Sequence, residues 1–177
     1  MYCNIEGDYP MKILICYHSQ SGNTERIARA MASALESEDV TIMPAADVDP
    51  ASMGDYELAV LGSGVYSAEV GDSIKKLVKK AAPLPSRLAF FTTHSNPDPN
   101  MWKNAFKKIR KAVEEAGSTI VSEFECRGEN TVISPEMLLN LFQGNQEMVD
   151  TYFDWALGCP TEEDEENARA FAQSLIS

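Results

Sequence analysis

The stretch KILICYHSQSGNTERIARAMASAL, residues 12–35, combines an apolar run, a loop of small polar residues and a segment with helical periodicity. Residues 13–16 form a short continuous apolar run, the pattern of a strand that helices bury on both faces. Apolar residues then recur at three- and four-residue spacing, as in an amphipathic helix: Ile27, Met31, Ala34 and Leu35. The stretch therefore predicts a strand, a loop and a helix, and the loop HSQSGNT contains neither lysine nor arginine.

Four further segments have strand patterns. Residues 58–61 and 88–91 are continuous apolar runs, which predicts central strands, whereas residues 40–43 and 120–126 alternate apolar with polar residues, which predicts edge strands. Helical periodicity in residues 74–81, 102–113 and 168–175 separates or follows these strands. This alternation predicts one α/β domain, residues 12–177, with a doubly wound five-stranded parallel sheet and right-handed crossovers.

Two parts of the chain fall outside the alternation. We expect residues 1–11 to be an N-terminal extension, and they lack the basic start and apolar middle of a signal peptide. Residues 130–157 contain two helical patterns, the first with Ser134 as N-cap and Pro135 at the first helical position. We interpret this segment as a helical insertion before the last helix, which should begin at the cap formed by Thr161 and Asp164.

Composition excludes several classes of function. Fifteen Lys and Arg against 27 Asp and Glu leave a net charge of -12, which repels nucleic acid and anionic lipid. No apolar run reaches the ~18 residues of a membrane span. Cys3, Cys16, Cys126 and Cys159 are far apart and form no CxxC pair, so we expect neither a metal site nor a disulfide framework. We expect a cytoplasmic protein, monomeric or homodimeric, with basic or neutral partner proteins.

The loop after the first strand is a candidate phosphate site. In an open parallel sheet, ligands bind beyond the carboxyl ends of the strands where the strand order reverses. This loop leads into a helix N-terminus, whose free N–H groups and positive dipole end favour a phosphate without a basic side chain. The patterns of a nucleoside triphosphate loop and of a dinucleotide loop are both absent from it. An ordinary Ser/Asn/Gly turn that caps the helix is the alternative.

The motif SQSGNT resembles the phosphate loop of flavodoxins, and GSGVYSAEVGDSIKKLVKK, FFTTHS, FECRGE and GCPTEEDEENARAFA are similar to later landmarks of a flavodoxin-like subfamily. The resemblance extends from Lys12 to the C-terminus, apart from the predicted insertion. It implies the strand order 2-1-3-4-5, non-covalent FMN and the function of an electron carrier that serves redox partner proteins. Two alternatives stay open: a flavin-dependent reductase acting on NAD(P)H, a quinone or a porphyrinogen, and a flavin-free interaction module of the same fold.

The resemblance also implies which residues contact FMN. Three groups of residues are expected, for the phosphate, for the isoalloxazine ring after the third strand, and for a third loop: Ser19, Gln20, Ser21, Gly22, Asn23 and Thr24; Ser63, Gly64, Val65 and Tyr66; and Thr92, Thr93, His94, Ser95 and Asn96. Gly64 is the candidate for a peptide that flips when the flavin is reduced, because glycine tolerates positive φ. Tyr66 is placed to cover the ring, with a half-exposed loop tyrosine as the alternative.

The remaining polar residues are expected to have structural roles. We predict a solvated loop position for His94 in preference to a proton donor, and a structural role for His18 at the end of the first strand. Cys126 is expected to be packed, because nothing near it in sequence would lower its pKa. The sequence indicates no catalytic residue and no metal ligand.

Overall fold

The computed structural model describes residues 9–177. Cys3 and most of the predicted N-terminal extension lie outside the described residues. Five strands form the main sheet: β1 (Lys12–His18), β2 (Asp39–Pro44), β3 (Leu58–Tyr66), β5 (Arg87–His94) and β6 (Thr119–Arg127). The two-residue strand β4 (Glu69–Val70) pairs antiparallel with the end of β3 and was not predicted.

The five long strands are parallel and lie in the order β2-β1-β3-β5-β6. Without β4, this is the predicted order 2-1-3-4-5. The continuous apolar runs of β1, β3 and β5 are buried in the centre, and the alternating strands β2 and β6 form the edges. Because the strand order reverses at β1 and β3, the loops after these two strands meet at one edge of the sheet.

Helices cover both faces of the sheet. Helices α1 (Asn23–Ser33) and α6 (Glu162–Ser174) pack on one face, and α2 (Asp72–Lys80) and α3 (Lys107–Glu115) pack on the other. Two further helices, α4 (Pro135–Leu141) and α5 (Gln146–Ala156), lie between β6 and α6 and have a small core of their own around Leu138, Val149 and Tyr152. We refer to residues 130–157 as the α4–α5 segment.

The N-caps predicted at Ser134 and Thr161 are present, and a glycine in the left-handed region follows α3. Ser134 accepts a hydrogen bond from the Met137 N–H at 3.2 Å, and α3 is followed by Gly117 with φ 82°. Thr161 and Asp164 form a reciprocal capping box at the start of α6. These local signals predict where helices begin and end because each cap satisfies backbone groups within its own turn.

The predicted helix over residues 102–113 begins later than expected. Residues 102–106 are turns, and α3 starts at Lys107. The Asp98 side chain instead caps a short 3-10 helix, Pro99–Met101, and the Trp102 ring stacks on His94. The first apolar residues of the predicted helix therefore lie in a loop, and Trp102 of this loop covers the end of β5.

Candidate functional site

The loop between β1 and α1 folds back on itself. The Ser19 Oγ accepts a hydrogen bond from the Gly22 N–H at 3.1 Å, and Gly22 has φ 87°, which a glycine adopts without strain. Gly22 is the N-cap of α1 and has no side chain with which to cap it. The first N–H groups of α1, from Asn23 to Glu25, therefore lack a side-chain cap and are available to an anion.

Two contacts attach this loop to the neighbouring strands. The hydroxyls of Thr24 and Thr93 form a buried hydrogen bond of 2.8 Å between α1 and β5. The Asn23 Nδ2 donates to the Glu129 carbonyl at 2.7 Å, just beyond β6. Gly128 permits this approach, because a Cβ there would lie 2.7 Å from the Asn23 Nδ2. The loop after β1 is thus fixed to β5 and to the loop after β6.

The loop after β3 is a tight hairpin into β4. Ser67 and Ala68 form its turn, with φ 51° and 64°, which is the left-handed region that residues other than glycine seldom adopt. The Ser63 hydroxyl accepts from the Gly71 N–H at 2.8 Å and donates to the Gly64 carbonyl at 2.6 Å, which fixes the base of the hairpin. Gly64 itself lies within β3, opposite Thr93, and its φ is not positive.

Tyr66 bridges the loops after β1 and β3. Its hydroxyl accepts a hydrogen bond from the Gln20 N–H at 3.2 Å, and its ring lies edge-on to the His18 ring with 5.2 Å between centroids. Burial raises the pKa of the Tyr66 hydroxyl. His18 is held in turn by a 2.7 Å hydrogen bond between its Nδ1 and the Ser73 Oγ, which agrees with the structural role predicted for it.

The predicted third loop begins later than expected. Residues Thr92, Thr93 and His94 belong to β5, because β6 pairs with them up to Arg127. Thr92 points to the opposite face of the sheet from Thr93 and lines a separate cavity with Trp102 and Phe106. Only Ser95 and Asn96 follow the strand.

The prediction of a solvated His94 is wrong. Its side chain is only 2% exposed, its ring stacks on the Trp102 ring with 4.2 Å between centroids, and the centroid of the tilted Trp155 ring lies 5.5 Å away. The His94 Nε2 lies 2.6 Å from Glu125. Burial lowers the pKa of His94, and the hydrogen bond to Glu125 partly offsets this effect. Trp102, in the turns before α3, and Trp155, from α5, therefore keep this imidazole out of water.

Together, the loops after β1, β3, β5 and β6 form one cleft at the carboxyl ends of the strands. Nine of the sequence-predicted residues line it: Gln20, Ser21, Asn23, Gly64, Val65, Tyr66, Thr93, His94 and Ser95. The cleft has a volume of about 90 Å³. The cleft is narrow because Tyr66 reaches across to Gln20.

The other six predicted residues lie around the cleft without lining it. Ser19 and Gly22 form the hydrogen bond that shapes the first loop. Thr24 and Ser63 are buried and do not line the cleft, and Thr92 lines a separate cavity. The Asn96 side chain accepts a hydrogen bond from the Asp98 N–H at 2.9 Å and stabilises the turn that follows β5.

Sequence reasoning missed one wall of the cleft. Six residues form it: Gly128, Glu129, Asn130, Val132, Ile133 and Tyr152. The first three follow β6, and the parallel sheet alone implied that this loop reaches the same edge. Tyr152 comes from α5, and its hydroxyl lies 2.5 Å from the Ser95 Oγ. No local signal in the sequence indicated that contact.

The thiols of the described residues are packed. Cys16 and Cys126 are buried. Burial raises the pKa of the Cys16 thiol to about 12, and it also raises the pKa of the Cys126 thiol. The pKa of Cys159 is raised for the same reason. Cys126 is therefore a packed thiol, as predicted, because a thiol in this environment stays protonated.

Comparison with known proteins identifies the family. The chain is 30% identical over 168 residues to an uncharacterized protein of Methanocaldococcus jannaschii. The aligned region covers 94% of this chain and 99% of that protein. The fold resembles oxidised flavodoxin 1 from Bacillus cereus, with a TM-score of 0.66, 14% identity and coverage of 93% of this chain and 97% of that one. It also resembles a flavodoxin from the domain Archaea, with a TM-score of 0.54, 20% identity and coverage of 80% and 99%.

Among residues 9–177, every helix is too short or too polar to cross a bilayer. Residues 14–173, nearly the whole chain, match the family model described as the flavodoxin domain. The protein therefore belongs to the flavodoxin family.

Proposed function

We propose that the chain is an FMN-dependent electron-transfer flavoprotein, a carrier of the flavodoxin type. One observation carries the proposal: the N-terminus of α1, which no side chain caps, opens into the same cleft as the aromatic ring of Tyr66. FMN has a phosphate at one end and a planar aromatic ring at the other. A site for both ends therefore needs anion donors and an aromatic wall close together.

The donor set of the first loop fits a phosphate. Its N–H groups and the Ser21 hydroxyl are neutral donors at the positive end of the α1 dipole. Arg26, the nearest cation along α1, is engaged elsewhere, since it donates to the Pro160 carbonyl at 2.6 Å and pairs with Glu165. The helix end, and no basic side chain, would thus hold the phosphate.

The walls of the cleft fit the ring of a flavin. Val65 and Tyr66 form one wall, and Val132, Ile133 and Tyr152 contribute apolar surface to another. The bond from Gln20 to Tyr66 keeps the cleft narrow, and a hydrogen bond of this kind stabilises a structure by only about 1 kcal/mol. Movement of Tyr66 therefore costs little and would widen the site. Bound FMN would supply one- or two-electron chemistry, while these residues bind it, orient it and exclude water.

The phosphate assignment is tested by placing a negative charge in the loop. Ser21→Glu should weaken FMN binding at least ~10-fold, because like charges would share the helix end, whereas riboflavin, which has no phosphate, should be affected little. Ser86→Glu is the matched control, since Ser86 is exposed and precedes β5 at the far edge of the sheet. Binding is measured by quenching of flavin fluorescence.

Three results would contradict the proposal. Equal weakening of FMN and riboflavin by Ser21→Glu would show that the loop does not hold the phosphate. Tighter binding of FAD than of FMN would show that the first loop does not enclose a terminal phosphate. A purified protein that has no flavin absorption and binds no added FMN would support the flavin-free interaction module.

A further inference from the structure

The α4–α5 segment leaves an unusual number of large apolar side chains exposed. Six of them are exposed by 37% to 70%: Val132, Ile133, Met137, Leu141, Met148 and Leu157. Outside the segment, Met101 in the loop after β5 is also exposed, by 38%. Apolar side chains exposed together in this way mark interaction sites more often than chance.

A groove crosses this surface between the loop after β5 and the two helices. Its apolar lining comes from six residues: Pro97, Met101, Leu141, Phe142, Met148 and Tyr152. We call it the Met groove; its volume is about 400 Å³. Two carboxylate residues, Asp98 and Glu147, also line it. Methionine side chains are flexible and polarisable, and such surfaces adapt to side chains of different shapes.

The charge of the segment identifies the kind of molecule that fits the Met groove. Residues 130–157 contain four acidic residues, Glu136, Glu147, Asp150 and Asp154, and no Lys, Arg or His. None of the four forms an ion pair with another described residue. A second copy of this chain would bring the same acidic surface against itself, and the chain has a net charge of -12. A basic surface is therefore complementary, and an identical one is repelled.

The extent of the apolar surface favours a macromolecule over a small ligand. Binding sites for small molecules bury most of the ligand in a concave pocket. Here Met137, Val132 and Leu157 are more than half exposed and are not part of the groove lining. A ligand that filled only the Met groove would leave this apolar surface in water, whereas a protein could cover both.

We propose that the α4–α5 segment is the docking surface for a basic partner protein, which inserts an apolar side chain into the Met groove and places lysine or arginine against the surrounding carboxylates. Tyr152 lines both the Met groove and the candidate flavin cleft. A partner docked here therefore lies beside the cleft. The redox character of this partner rests on the proposed function; the chemistry of docking does not.

The test uses two synthetic helical peptides of about 14 residues, labelled for fluorescence anisotropy. One has leucines at i, i+3, i+4 and i+7 with lysines elsewhere, and the other has glutamates in place of the lysines. We expect the leucine–lysine peptide to bind with a Kd on the order of 10–100 μM at low salt, and the glutamate peptide to bind at least ~10-fold more weakly.

Two double variants and a control locate the binding. Leu141→Gln with Met148→Gln removes apolar groups from the Met groove, and Glu147→Gln with Asp154→Asn removes charge from the segment. Each double variant should weaken the binding of the leucine–lysine peptide at least ~5-fold. Glu163→Gln with Glu166→Gln removes the same charge from exposed positions on α6 and should leave the affinity unchanged. FMN titration of all variants should give the affinity of the unaltered chain.

The outcomes separate the two proposals. Equal affinity for both peptides, or no effect of Leu141→Gln with Met148→Gln, would overturn the docking proposal even if FMN binds. A dimer in sedimentation equilibrium that this same variant dissociates would assign the Met groove to a second copy and also overturn it. Failure of the unaltered chain to bind FMN would overturn the proposed function, while the peptide affinities would still decide whether a basic partner docks here.

Discussion

At the scale of single residues, the Thr24–Thr93 hydroxyl pair connects the first loop to the centre of the sheet. Both residues are buried, at 1% and 4% exposure. A hydroxyl that loses its partner in such a place keeps the cost of leaving water, whereas removal of both hydroxyls removes that cost.

We therefore predict a strongly non-additive pair of substitutions. Thr24→Val should lower the free energy of unfolding by about 1–3 kcal/mol, because the Thr93 hydroxyl is left without a partner. Adding Thr93→Val should recover most of that loss. Urea denaturation of the two single variants and the double variant measures the coupling; additive losses would show that the two hydroxyls are not energetically coupled.

His94 should make the stability of the protein depend on pH. The folded state lowers the pKa of His94, so the unfolded chain, with a pKa near ~6.5, binds this proton first as the pH falls. The free energy of unfolding should therefore decrease as the pH falls below the unfolded pKa, and level off below the folded pKa. The groups that face the imidazole are Glu125, Arg127 and the rings of Trp102 and Trp155.

The measurement compares urea midpoints at about pH 7.5 and 5.5, on either side of the histidine range. The variant His94→Phe retains an aromatic ring but cannot titrate, so its urea midpoint should change less between the two pH values. His18, whose pKa is also lowered, stays in the variant and accounts for the remaining slope. Glu69 and Asp72, whose pKa values are lowered from already low values, lose their charge at more acidic pH. An unchanged slope in the variant would rule out the His94 contribution.

At the scale of elements, the hairpin between β3 and β4 has a strained turn. Ala68 has φ 64°, where a Cβ meets the neighbouring carbonyl and costs about 1–2 kcal/mol relative to glycine. Strain of this kind persists only where the surrounding structure holds it, and here the turn of Ser67 and Ala68 directly follows Tyr66.

Ala68→Gly should consequently raise the free energy of unfolding by about 1 kcal/mol. The control is Ala170→Gly at an exposed position inside α6, where glycine should lower it by a similar amount, ~1 kcal/mol. Thermal or urea denaturation measures both. A loss of stability in Ala68→Gly would show that the turn relaxes in solution and stores no strain.

The elements of this protein differ in how far the sequence determines them. The apolar runs of β1, β3 and β5 predicted the central strands, because a strand buried on both faces must be apolar throughout. The end of β5 was missed, since Thr92, Thr93 and His94 have the polarity of a loop. Their burial depends on Trp102 in the following turns and on Trp155 and β6, which come later in the chain.

The candidate site was predictable only in part for the same reason. Gln20 and Ser21 are indicated by their place after a parallel strand and Tyr66 by its place at the end of one, and the structure brings them into one cleft. Tyr152 and Ile133 come from a segment with its own small core, and nothing local fixes how that core packs on the sheet. The roles of these residues toward FMN stay predictions.

At the scale of the whole molecule, the distribution of charge bears on the choice between carrier and reductase. Direct hydride transfer requires a nicotinamide held against the flavin at about 3.5 Å. Most lysines lie on α2 and α3, where Lys75 and Lys108 are paired with Glu69, and the net charge of -12 repels an anionic dinucleotide. The sequence shows no second glycine-rich turn after a strand for its phosphates.

Under anaerobic conditions, excess NADH or NADPH should therefore leave the FMN of the loaded protein oxidised for minutes, while dithionite reduces it. Both reactions are monitored by the visible absorption of the flavin. Dithionite is the control that shows the bound flavin to be reducible. Rapid bleaching by either nucleotide alone would reject the carrier in favour of the reductase.

The contacts between the first loop and the end of the chain have a consequence for biosynthesis. Asn23 bonds to Glu129, and Arg26 bonds to Pro160 and Glu165. These partners are more than a hundred residues apart in sequence, so the loop that is synthesised first acquires its surroundings last. The cleft cannot be complete on a nascent chain whose residues 128–165 are still inside the ribosome. If FMN binds in this cleft as proposed, its uptake must follow translation of this region, and a ribosome stalled before it would display an incomplete cleft.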